Sequence, residues 1–106
     1  MIDIEKLTAL AIAYDAGDAK RIQHFIKVYA YSHLLGRREG LDEQKQNVLE
    51  AAAVLHDIGI HEAERKHGSS GGHWQEMEGQ AVAAPMLQQC GADERESERV
   101  QWLIAH

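Results

Sequence analysis

Apolar residues return every three or four positions along most of this chain, the spacing that gives a helix one buried stripe. Ile4, Leu7, Leu10 and Ala11 define a first helix; Gly17 stops it and Asp18 is placed to cap a second. That second helix runs to about Gly36. At about 100° per residue, Val28, Tyr31 and Leu35 fall within about 40° of His24, so His24 is expected on an inward stripe. His33 lies about 180° away, so the two histidines cannot grip one ion, and His33 is read as structural or exposed. A third helix, capped by Asp42, carries Val48, Leu49, Ala52, Ala53 and Leu55 and ends near Gly59. A loop of about ten residues follows, closed by the Gly-Ser patch from Gly68 to Gly72. A fourth helix is expected from Trp74 to Cys90, with Pro85 kinking or breaking it. Asp93 and Glu96 have the spacing of a capping box for a fifth, which carries Val100, Leu103 and Ile104. That helix reaches His106 with no stop signal, so further C-terminal sequence is expected beyond it.

Composition agrees with this reading. The strong helix formers Ala, Leu, Glu, Gln, Lys and Arg supply 54 of 106 residues, while Pro and Thr occur once each. The expected fold is all-α: a compact bundle of about five helices, forming one domain over residues 1–106. Trp74, Met77, Met86 and Trp102 are read as covering a core or a partner, with the core preferred. Eleven Lys and Arg against seventeen acids give a net charge of −6, which argues against a DNA or RNA backbone as partner. A small pocket for a phosphorylated metabolite or nucleotide remains compatible with that charge. The lone Cys90 excludes a disulfide framework and a Cys-rich zinc site. No apolar run approaches the ~18 residues of a membrane span, and acids rather than bases occupy the first positions. No membrane partner and a cytoplasmic location are therefore expected; oligomeric state is not readable.

Seven histidines are the unusual feature. Leu49, Ala52 and His56 share a helical face, and Asp57 follows at once. Adjacent side chains diverge by about 100° within a helix, but at a helix end facing a second helix both can converge on one point. Imidazole nitrogen with carboxylate oxygen suits Mn²⁺, Fe²⁺, Co²⁺, Ni²⁺ or Zn²⁺, with Mg²⁺ less natural. The surrounding run from Ala51 to Ile60 is otherwise apolar, so an unpaired carboxylate there would be costly and a cation would offset the cost. His24 taken alone is more readily a core histidine bonded to a carbonyl. Other templates fail: there is no P-loop and no nucleophile elbow, and the zincin pattern begun by His61-Glu62 meets Arg65 where its second histidine belongs.

Four segments together, Arg21-Ile-Gln-His24-Phe-Ile-Lys-Val28, Ala51-Ala-Ala-Val-Leu-His56-Asp57-Ile-Gly-Ile60, Glu76-Met-Glu78-Gly79 and Leu103-Ile-Ala-His106, resemble the HD superfamily of metal-dependent phosphohydrolases. The resemblance runs from about Asp18 to the last residue. It implies an all-α fold in which His24, His56 and Asp57 hold a divalent metal ion. It also implies a final Asp ligand, downstream of the segment that ends at His106. Absent C-terminal residues or a degenerate site would each account for that gap, and the abrupt end favours the first.

The implied activity is cleavage of a phosphate ester or nucleotide by a metal-activated water, with Asp57 and Glu62 as catalytic candidates. His106 matches a position that supplies an extra ligand in binuclear members, and His73 could reach the same pocket; both are candidates for a second metal or a phosphate contact. Arg21, Arg65, Lys66 and His67 are the candidates for binding substrate phosphate. The alternatives are a metal-containing ligand-binding or regulatory module without turnover, and a plain helical interaction domain in which the His-Asp pair is a coincidence.

Overall fold

A computed structural model describes all 106 residues. Six helices follow one another: α1 (Ile4–Tyr14), α2 (Ala19–Arg38), α3 (Glu43–Leu55), α4 (Ile60–His67), α5 (Gly72–Gln89) and α6 (Glu94–Ala105). Four start on an aspartate whose carboxylate accepts a backbone N–H three residues on: Asp3 from Lys6, Asp18 from Arg21, Asp42 from Lys45 and Asp93 from Glu96. Asp93 and Glu96 complete the reciprocal capping box. The two helices without a side-chain cap are α4 and α5, which start after Gly59 and Gly71.

Helix α3 is the central post. Residues Ala51 to Leu55 are all buried, and the helix packs against α2, α6 and α1. Around it Leu7, Phe25, Val54, Leu87, Val100 and Ile104 close one apolar core. The chain's start is sewn to this core. The Ile2 N–H donates to Asn47 Oδ1 at 2.8 Å, Asn47 Nδ2 donates back to the Ile2 carbonyl at 2.8 Å, and the Asp3 N–H donates to the Cys90 carbonyl.

Three expectations need correction. The ten-residue loop is instead the short helix α4, whose only apolar residues are Ile60 and Ala63, a single i, i+3 pair too short to read as a repeated stripe. Helix–turn chemistry holds it: Glu62 pairs with Arg65 and Lys66 along its surface, and Gly68 ends it in the left-handed region at φ 67°. Next, α2 turns a different face inward. Ile22, Phe25, Tyr29 and Gly36 meet α3, whereas His24, Tyr31 and Leu35 are exposed. Finally, Trp74, Met77 and Trp102 lie on the surface, and of the four residues read as core cover only Met86 packs against the core. Helix α5 runs through Pro85 without a break.

A close backbone approach between the turn at Gly59 and helix α5 lies beside the His-Asp pair. A Cβ added to Gly59 would stand 2.3 Å from the Gln75 carbonyl oxygen and 2.4 Å from the Gly79 nitrogen. Only glycine lets the turn after Asp57 lie this close to the α5 backbone. Helix α5 is thereby held against the end of α3.

Candidate metal centre

Local structure aims the pair. The helix α3 ends at Leu55, His56 is its C-cap, and residues 56–59 form a turn into α4. Leaving the helix frees His56 and Asp57 from helical divergence. His56 Nδ1 lies 2.7 Å from the Ala53 carbonyl oxygen, an acceptor. Nδ1 therefore carries the proton that bonds it, and in the neutral ring Nε2 keeps its lone pair for a cation.

Three donor atoms meet there. His56 Nε2 is 3.1 Å and His24 Nε2 3.3 Å from Asp57 Oδ2, and the two Nε2 atoms are 3.3 Å apart. Ion–ligand bonds of about 2.0–2.1 Å separate neighbouring donors by about 3.0 Å in an octahedron and about 3.4 Å in a tetrahedron. The observed spacings fall between those limits, so the donor set fits one divalent ion. His24 is half-exposed, which leaves the site open on one side.

Two further residues hold Asp57. Gln75, near the start of α5, donates from Nε2 to Asp57 Oδ1 at 2.8 Å and to the His56 carbonyl at 2.9 Å. Arg21 Nη1 reaches Oδ2 at 3.3 Å. The carboxylate is thus oriented with Oδ2 toward the two imidazoles. Electrostatics follow the geometry. The hydrogen bond with His56 lowers the Asp57 pKa below 3.8; burial opposes this, and the charges of His56, Arg21 and His24 reinforce it. For His56, burial acts to lower the pKa, but the hydrogen bonds to Asp57 and to the Ala53 carbonyl outweigh it and raise the value above 6.5.

The other candidates divide into separate groups. Glu62 binds Arg65 through two hydrogen bonds of 2.9 and 2.7 Å, which lower its pKa. Lys66 and His67 both hold the buried Glu78 of α5 at 3.0 Å, and His67 stacks on Trp74 with ring centroids 3.9 Å apart. Each member of the basic cluster is therefore already paired, Arg65 with Glu62 and both Lys66 and His67 with Glu78. His73 meets the edge of Trp74. His106, at the far end of α6, stacks on Trp102 and bonds its carbonyl. The group of potential ligands that converges consists of His24, His56 and Asp57, with neither His73 nor His106 in it. His33 pairs with the buried Glu50 at 3.0 Å, a structural role.

Sequence reasoning missed Gln75 and a second acid–imidazole group. In that group His61 lies 3.2 Å from Asp18 and 3.5 Å from Asp15. Asp15 is buried, its Oδ1 has no hydrogen bond, and burial raises its pKa above 3.8 against the lowering effect of His61. The pattern of a glutamine one turn into a glycine-led helix carries no signal for ligand support.

An all-helical fold in which His24 of α2 meets His56 and Asp57 at the end of the central helix has a group that could hold a metal ion. The chain belongs to the HD-domain family: the family model described as HD domain matches residues 21–106, and HD-domain proteins are generally metal-dependent hydrolases. No curated protein and no solved structure gives a significant match. No helix is long and apolar enough to cross a membrane.

Proposed function

We propose that this chain is a metal-dependent phosphohydrolase acting on a small phosphorylated metabolite or nucleotide. The observation that carries the reading is the convergence of His24 Nε2, His56 Nε2 and Asp57 Oδ2 within 3.3 Å of one another. Burial lowers the His56 pKa, but its hydrogen bonds to Asp57 and the Ala53 carbonyl outweigh this and raise it, so these electron-rich atoms favour a positive charge among them. A divalent ion there polarises a phosphoryl oxygen and acidifies water. Ala53 fixes the His56 tautomer, Gln75 and Arg21 hold the carboxylate, and the open side at His24 admits substrate. Arg21, the basic side chain in contact with the ligand set, is the residue placed to offset phosphate charge.

A metal-containing regulatory module without turnover is the second reading. One observation favours it: Glu62, the candidate base, is occupied by Arg65. Elemental analysis of the purified chain, then a panel of nucleotides and phosphomonoesters with added Mn²⁺, Mg²⁺, Co²⁺ or Ni²⁺, separates the two. Hydrolysis that disappears in His56→Ala and Asp57→Ala is expected. Stoichiometric metal with no turnover would move the assignment to the regulatory module, and metal content unchanged in both variants would sink both readings.

A further inference from the structure

Helix α2 holds Lys20, Arg21, Lys27, Arg37 and Arg38 and no acid, while the rest of the chain sets six Lys and Arg against seventeen acids. It packs chiefly on one neighbour, α3. Its two apolar stripes lie about 150° apart on the helical wheel. One, through Ile22, Phe25 and Tyr29, enters the core. The other does not: Tyr31 is 60%, Leu34 56% and Leu35 59% exposed. Lys20, Lys27 and Arg38 lie within about 40° of Tyr31 on that outer side, and no carboxylate forms an ion pair with them.

Contiguous exposed apolar side chains rimmed by one sign of charge mark a surface that another molecule covers. We propose that the outer face of α2 is a docking site for an acidic amphipathic helix of a partner protein. Leucine-type side chains of that helix would meet Tyr31, Leu34 and Leu35, with its acids against Lys20, Lys27 and Arg38. Charge decides the occupant. Two copies joined about a two-fold axis through the outer face of α2 would set its three bases against the same three. Screening over a Debye length of about 8 Å leaves only nearby charges to act, so an extended anionic lipid surface along α2 would meet the acids at its two ends, Asp18 and Glu39, as well as the bases. A single acidic helix meets only the basic stripe. This proposal does not depend on the metal reading.

The test is a titration of the full chain into a fluorescent synthetic helix that has leucines at i, i+3, i+4 and i+7 and glutamates elsewhere. A second peptide carries lysines in place of the glutamates. The acidic helix is expected to bind, more tightly at low salt, and the lysine helix to fail. Leu34→Asp or Leu35→Asp should weaken binding about tenfold, as should Lys27→Glu combined with Arg38→Glu. These positions are exposed, so circular dichroism and melting should match the parent chain, and the charge pair serves if a leucine variant does not fold. Equal binding of both peptides, or no binding of the acidic one, would overturn the proposal. So would a dimer in sedimentation that Leu35→Asp disperses, or capture by phosphatidylserine vesicles in preference to the peptide.

Discussion

Gln75 Nε2 stands 2.8 Å from Asp57 Oδ1 and 2.9 Å from the His56 carbonyl oxygen, so one amide on α5 spans both residues of the His-Asp pair. The contact exists because Gly59 lets the turn lie at backbone distance from Gln75 and Gly79 of α5. Removing the amide while keeping the volume, as in Gln75→Met, leaves Asp57 free to rotate. Metal affinity should fall by roughly ten- to a hundredfold, the usual cost of losing support behind a ligand. Calorimetric titration with Mn²⁺ or Zn²⁺ measures it, and an unchanged affinity would show that Gln75 does not orient the carboxylate.

Protonation of His56 competes with metal. Its pKa is raised above 6.5, chiefly because its hydrogen bonds to Asp57 and Ala53 outweigh burial. Affinity should therefore climb with pH past 6.5 and level off only above the raised value, with a proton released on binding. Metal-free stability runs the other way. The His56 contribution is complete below 6.5 and is lost as pH rises through the raised value. The Asp57 contribution is present above 3.8 and is lost as pH falls through the lowered value. Urea melts of the metal-free chain should show this pair contributing most between pH 3.8 and 6.5, and Asp57→Asn should flatten the profile.

Asp15 is a buried carboxylate whose Oδ1 has no donor, and burial raises its pKa above 3.8. A raised carboxylate favours the folded state at low pH and disfavours it once both states are ionised. Asp15→Asn should accordingly raise the melting temperature at neutral pH, with the gain vanishing below pH 3.8. A loss of stability at neutral pH would mean that the ion pair with His61 outweighs the burial cost.

Gly59→Ala places a methyl against the backbone of Gln75 and Gly79, which cannot swing aside. Overpacking of this kind costs about 1–3 kcal/mol, and the displaced turn should weaken metal binding as well. Gly72→Ala meets nothing within 4 Å and serves as the control. Chemical denaturation of both variants reads the difference.

Local signals in the sequence carried the helices that begin on Asp18, Asp42 and Asp93, and apolar spacing alone carried the one that starts at Ile4. A carboxylate cap ahead of an apolar period is a short-range pattern, satisfied within one turn. Helix α4 escaped because Ile60 and Ala63 are the only apolar residues among its eight, one i, i+3 pair and not a repeated period. His56 and Asp57 stood out as a polar pair in an apolar run. Their supports did not, because Gln75 acts from eighteen residues away and its role arises only when α5 folds back.

The residue order alone was enough for an all-helical chain and for the His56-Asp57 pair as candidate ligands, since caps, periods and a His-Asp pair are chemistry between near neighbours; His24 joined them only through the resemblance to the HD superfamily. Packing decided which of two apolar stripes on α2 became core. Ile22, Phe25 and Tyr29 and the set of Tyr31, Leu34 and Leu35 both obey the helical period, and nothing local distinguishes them. Docking on α3 chose the first. That choice left His24 half-exposed at the rim of the metal centre instead of within the core, and left the second stripe facing outward.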